Sequence, residues 1–378
     1  MLGLLRYLYR LVALPNRVVQ IVLELQRQRD EMTRISTAIG TARPERAAEP
    51  ALAAFVPAGR DVSRAGHAGF GAAAGTGVRD GRAPSVEPAG RLSAGELFDP
   101  RDIPALARHV GEQMVRSRCH AVYLGDHTVL ARCLGRYKML VDSRDLGLAP
   151  HIMLEGFWEW WLTQFMIGKV GEGMAVLDIG ANFGYYTLLL SDLVGATGRC
   201  LAFEPNPAVA ERLERSVDMN GFSGRTRVLR CALGREPEGS LPFFVPAGQP
   251  KNATVVDSSF VAPDGSGTLL QVPVTTVDRV VEGRTDFVKI DAEGAEYDII
   301  MGMRDTIARD LPRMVVEFNA ARNYDGRALL DYLCEVYGGL SYVDVDAHAK
   351  PATIDRVMRE DFGNDWLLYF ERAGRRRR

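Results

Sequence analysis

The sequence is poor in several things, and each shortage excludes a class of protein. It holds 5 cysteines in 378 residues, Cys119, Cys133, Cys200, Cys231 and Cys334, and no two form a CxxC pair. That spacing fits neither a disulfide framework nor a zinc knuckle, and it suits a reducing, cytoplasmic compartment. Net charge is scarce: 46 basic against 48 acidic residues leave a formal charge of −2. Bulk binding of nucleic acid needs net or clustered positive charge, so no nucleic-acid partner is expected. No apolar run is long enough to span a bilayer, because Arg6, Arg10, Pro15 and Arg17 interrupt the most apolar early segment. The same segment lacks an apolar core followed by a small-residue cleavage site, so no secretory leader is predicted.

What is present divides into three parts. Residues 1–39 read as an amphipathic or coiled-coil-like helix, with Val18, Val22, Leu25, Met32, Ile35 and Ile39 near helical spacing. Such a helix packs on its own domain, self-associates, or lies on the inner face of a membrane with Arg6, Arg10 and Arg17 toward the headgroups. Residues 40–93, rich in Ala, Gly, Pro and Arg without an apolar period, read as a disordered linker. The remainder is a folded body. Within it, 94–170 form a lead-in: a hairpin about Leu134-Gly135-Arg136, then a single aromatic helical pattern, HIMLEGFWEWWLTQFMIGKV. From 171 to 378 apolar strands alternate with helices, which implies an α/β fold with a mostly parallel sheet covered on both faces. LPFFVP and LLQVPVTTVDRVV read as strands of an inserted antiparallel piece, and one of the two closing strands is expected to enter antiparallel.

The stretch VLDIGANFGYYTLLL passes from a buried strand through a glycine turn into a helix. In an open parallel sheet the ligand lies at the carboxyl ends of the strands, beside the reversal in strand order. Gly180 and Gly184 let backbone approach a ligand and start the helix close to the sheet. A dinucleotide loop requires G-x-G-x-x-G, and here Asn182 replaces the middle glycine, where a side chain crowds a pyrophosphate. No Gly-Lys-Ser/Thr follows, which excludes a P-loop. S-adenosylmethionine carries no phosphate, and its amino acid portion can sit against a D-x-G-x-N-x-G loop with Asp178 as the helping acid. Glu204, ending the next strand about 20 residues on, is placed to accept from ribose hydroxyls of either cofactor.

VLDIGANFGYYTLLLS, AFEPNPAVAERLERSVDMNG, RCALG, VPVTTVDRV and DFVKIDAEGAEYDIIMGM occur in that order, and together they resemble the FkbM family of S-adenosylmethionine-dependent methyltransferases. VKIDAEGAE is the most specific block. The resemblance spans about 142–319 and extends to the whole body, the preceding SRDLGLAPHIMLEGFWEWW also resembling the family's lead-in, and it leaves the first hundred residues uncovered. It implies a class I methyltransferase (Rossmann-like) fold with a seven-stranded mostly parallel sheet. It also implies cofactor contacts at Asp178, Gly180, Asn182, Gly184 and Glu204, and at Cys231-Ala232 near the adenine. The acceptors it implies are hydroxyls of sugars, glycans or glycosylated natural products.

Methyl transfer to a hydroxyl needs in-line alignment and profits from a base. Asp291 is the first candidate and Glu293 the second, since both sit at a strand end facing the cleft; Glu293 is also well placed to cap the following helix. Lys289 is placed to pair with one of these acids. Glu317 and Asn319 bring polar groups to the same edge. Asp291, Glu293 and Glu317 also offer oxygen ligands suited to magnesium, although no metal is required by the sequence. The aromatic group Phe157, Trp158, Trp160 and Trp161 reads first as core packing and second as a stacking platform for a sugar. Two rival readings stand beside an O-methyltransferase: a non-catalytic subunit of a membrane-associated polysaccharide-synthesis assembly, and an NAD-dependent oxidoreductase.

Overall fold

A computed structural model describes residues 98–372 other than 249, 258, 263 and 361–364. The helix expected over 1–39 and the linker expected over 40–93 lie outside these residues. Among the described residues no helix is long and apolar enough to cross a membrane.

The lead-in opens with a 3-10 turn, Pro100–Ala105, capped by the Asp99 carboxylate, and helix α1, Arg108–Arg116. Strands β1 (Ala121–Gly125), β2 (Thr128–Cys133) and β3 (Tyr137–Asp142) then form an antiparallel sheet. The expected hairpin is β2–β3, and its turn places Leu134 and Gly135 at φ 48° and 63°. The aromatic pattern forms two helices rather than one, α2 (Ala149–Leu154) and α3 (Trp160–Lys169). The break comes where Gly156 and Glu159 take φ 76° and 37°, outside the helical region.

The body alternates as the sequence predicts: β4 (Ala175–Ile179), α4 (Tyr185–Leu193), β5 (Arg199–Phe203), α5 (Pro207–Met219) and β6 (Thr226–Leu229). RVLRCALG is not one strand. The chain leaves the main sheet after β6 and enters the insert, whose strands are β7 (Ala232–Leu233), β8 (Gly239–Pro246), β9 (Thr254–Val255) and β10 (Gly267–Thr275). β8 and β10 pair antiparallel, as expected of that piece. Short helix α6 (Val277–Val280) leads back to β11 (Phe287–Ile290). AEYDIIMGMRDTIARD then splits into α7 (Glu296–Met301) and α8 (Arg304–Asp310), before β12 (Arg313–Phe318) and α9 (Gly326–Tyr337). The chain closes with β13 (Leu340–Val343), β14 (Ala349–Ala352), α10 (Ile354–Arg359) and β15 (Trp366–Phe370).

Among the described residues the main sheet has eight strands rather than seven, in the order β14-β13-β15-β12-β11-β4-β5-β6. The extra strand is β14, which pairs antiparallel with β13 at the edge. β15 enters antiparallel beside β12, as one closing strand was expected to do. Both faces are covered. Along β4, Val176 belongs to one apolar core, whereas Leu177 and Ile179 belong to the other. That alternation is the signature of a strand buried on both sides. β5 and β6 lie on one side of β4, and β11 and β12 on the other. The order therefore reverses at β4–β11, and the loops leaving those two strands meet there.

Candidate functional site

The two loops are in contact at one glycine. Gly180 has φ 73°, and a Cβ built on it would fall 1.7 Å from the carbonyl oxygen of Asp291. The amides of Gly180 and Ala181 donate to the Phe203 carbonyl at 3.1 and 3.0 Å, which ties the loop to the end of β5. Asn182 follows at φ 52°, a left-handed conformation that asparagine tolerates. Its amide donates to Glu204 Oε2 at 2.9 Å, and the Asn206 amide donates to Oε1 at 2.8 Å. Glu204 is thus oriented by two backbone donors. Burial pushes its carboxyl up to about 7 against those donors.

Beneath the loop, Asp178 is 0% exposed and accepts from Thr187 Oγ1 at 2.6 Å. Burial pushes its carboxyl up, and Lys289 opposes that. Lys289 Nζ lies 3.7 Å from Asp178 Oδ1, 3.2 Å from Asp291 Oδ2 and 5.2 Å from the Tyr186 ring centre. Burial alone would lower the Lys289 ammonium, but Asp291 and Asp178 outweigh it and raise it. Tyr186 in turn donates to Glu159 Oε2 at 2.7 Å.

Across the cleft, carboxylate oxygens of Asp291, Glu293 and Glu317 lie within 4.8 Å of one another. A hard divalent ion could be spanned by such oxygens. A cation from the chain is already beside two of them, however: Arg322 Nη2 lies 3.0 Å from Glu293 and 2.8 Å from Glu317. Burial, then Asp291, pushes the carboxyls of Glu293 and Glu317 up. The helix-capping role considered for Glu293 is not seen, since no side chain caps α7; Glu296 Oε1 instead accepts from the loop amides of Ala292 and Gly294 at 3.1 Å each.

Of the residues singled out from sequence, Gly180, Asn182, Glu204, Cys231, Ala232, Asp291 and Glu293 all border one cleft. Asp178 and Gly184 do not line it. Asp178 lies below, holding Lys289 and Thr187. Gly184, at φ 94°, starts α4 against α5, where a Cβ would meet Leu213 Cδ1 at 2.2 Å. Glu317 also borders the cleft, whereas Asn319 turns away to donate to Asp365 Oδ1 at 2.8 Å. The lead-in supplies Leu148, Trp158 and Glu159, and the insert supplies Phe243, Ala253 and Val255. Sequence reasoning missed Glu159, Tyr186, Glu296 and Arg322. Only Glu296 carried a signal, as the second acid of AEGAE at a helix start.

A glycine loop, a backbone-tied acid on the next strand and acids on the far side of a switch point define an open-sheet α/β protein with a strand-end ligand cleft. The chain belongs to the FkbM methyltransferase family, whose domain model, Methyltransferase FkbM domain, matches residues 178–376. It is 26% identical over 160 residues to Methyltransferase 1 of Beauveria bassiana, covering 38% of this chain and 63% of that protein. It is 25% identical over 180 residues to Methyltransferase sdnD of Sordaria araneosa, covering 40% of this chain and 68% of that protein. The crystal structure of methyltransferase FkbM from Methylobacillus flagellatus KT aligns with a TM-score of 0.35 at 17% identity, over 56% of this chain and 53% of that one.

Proposed function

We propose that the protein is an S-adenosylmethionine-dependent O-methyltransferase acting on a hydroxyl of a sugar, glycan or glycosylated natural product. The observation that carries this reading is the Glu204 carboxylate, held at the cleft by the amide of Asn182. It is set to accept from a ribose, while the Asn182 side chain stands where a dinucleotide loop needs none. The charge of the lining supports the same ligand. Asp291, Glu293 and Glu317 border the cleft with Lys289, which is already paired. Such a wall opposes a pyrophosphate and suits a ligand with sulfonium and ammonium charges. That argues against a nicotinamide dinucleotide.

When bound, the cofactor supplies a methyl group activated by its sulfonium. The chain has to orient the acceptor oxygen in line with that methyl, exclude water and receive the hydroxyl proton. Asp291 is the base of choice. Glu293 and Glu317 are held by Arg322, which positions their carboxylates to accept hydrogen bonds from the acceptor's hydroxyls. Lys289, bonded to Asp291 Oδ2, orients that carboxylate.

Calorimetry with S-adenosylhomocysteine tests the reading. Wild type binds it and Glu204→Ala loses most of that affinity. A wild-type protein with no measurable heat of binding overturns it.

A further inference from the structure

We infer that Trp158 and Glu159 form the acceptor-recognising wall of the cleft, Trp158 taking the apolar C–H face of a pyranose ring and Glu159 one of its hydroxyls. The inference rests on the methyl-transfer reading above and names the part of the chain that selects the acceptor. Both residues border the cleft, yet both lie before the residues matched by the family domain, 178–376.

Glu159 is unusual in its backbone. It has φ 37° and ψ 68°, immediately before α3, and makes no side-chain capping bond there. A non-glycine residue in that conformation is strained and persists where the surroundings enforce it. What the conformation achieves is direction. The carboxylate crosses to the start of α4, where Tyr186 donates to it at 2.7 Å. Tyr186 also faces Lys289, and Lys289 bonds Asp291. Glu159 and the proposed base are therefore linked through two side chains and border the same space.

The aromatic run separates in the same way. Trp160 is 1% exposed and packs edge-on with Phe157, their ring centres 5.1 Å apart, as core. Trp158 is only partly buried, is met edge-on by His151 at 4.9 Å, and borders the cleft. Of the grouped aromatics, it alone reaches the site.

An indole and a carboxylate bordering the same cleft as Asp291, Glu293 and Glu317 sort acceptors by chemistry. A pyranose offers a flat C–H face to the indole and donor hydroxyls at its rim. An open-chain alcohol lacks the face, and a phosphate or uronate meets like charge on several sides.

The test uses the full chain saturated with S-adenosylhomocysteine and a panel of neutral methyl glycosides, with butane-1,2-diol and a methyl glucuronide as controls. Saturation-transfer NMR reads acceptor binding and calorimetry reads cofactor binding. Wild type is expected to bind a glycoside through its ring C–H protons and to bind neither control. Trp158→Ala and Glu159→Gln should each weaken the glycoside by about tenfold or more, with S-adenosylhomocysteine affinity changed less than about twofold. Trp158→Phe should restore most of the loss. The inference is overturned if both variants bind the glycoside as wild type does, or if cofactor affinity falls as far as acceptor affinity. It is also overturned if wild type binds S-adenosylhomocysteine but no glycoside, an outcome that leaves methyl transfer standing. A wild type that fails to bind S-adenosylhomocysteine overturns both.

Discussion

Gly180 and Asp291 touch across the switch point: a side chain on Gly180 would need the space held by the Asp291 carbonyl, 1.7 Å from its Cβ position. The contact joins the loop expected to carry the cofactor to the loop expected to carry the base. Gly180→Ala is predicted to push the loops apart and destabilise the fold by roughly 1–3 kcal/mol, with weaker S-adenosylhomocysteine binding. Thermal unfolding and calorimetry check it, and unchanged melting with unchanged affinity refutes it.

Glu204 carries a pH dependence. Its folded carboxyl titrates at about 7, above the ordinary 4.5, because burial disfavours the charge. Its contribution to stability is therefore greatest below the ordinary value and is lost as pH rises through about 7. Ribose hydroxyls donate to the ionised form, so cofactor affinity should move the opposite way and strengthen across the same window. Titrations below and above neutrality measure this; Glu204→Gln should flatten the dependence and weaken binding throughout.

Lys289 is 3% exposed between Asp178 and Asp291, and Asp178 is fully buried. Removing the cation from a buried pair leaves an uncompensated charge. Lys289→Met is expected to cost about 3–5 kcal/mol. Lys289→Met combined with Asp178→Asn should recover part of that loss. Denaturant unfolding gives both values, and strictly additive single effects would show that the two groups are uncoupled.

Asp291→Asn keeps the shape of the strand end and removes the proton acceptor. The expected result is a fall in kcat of about 10²–10⁴-fold with little change in cofactor affinity. Single-turnover transfer from labelled cofactor provides the rate. A variant as fast as wild type would transfer the role to another group.

Much of the site was legible because the decisive signals are local. The strand–glycine–helix passage at 176–190 combines a buried strand, a glycine that must adopt positive φ and a helix start, all within one stretch of chain. Glu204 follows from the length of one helix and one strand. The breaks in the aromatic segment were not legible, because Glu159 has no intrinsic preference for φ 37°. Tertiary contact with Tyr186 orients it instead. β14 escaped notice for a similar reason: its segment, AKPA, has little strand propensity and gains its order by pairing with β13.

The amino-acid order by itself determined the alternation of strands and helices, the glycine loop and the acids at three strand ends, since each depends on neighbours a few positions apart. Only the tertiary structure decided that Asp178 lies beneath the cleft rather than in it, that Arg322 clamps Glu293 and Glu317, and that the lead-in and the insert complete the walls. Those outcomes depend on desolvation and charge pairing between segments far apart in the chain. Burial sends Asp178 toward Lys289, and the carboxylates of two loops toward a single guanidinium.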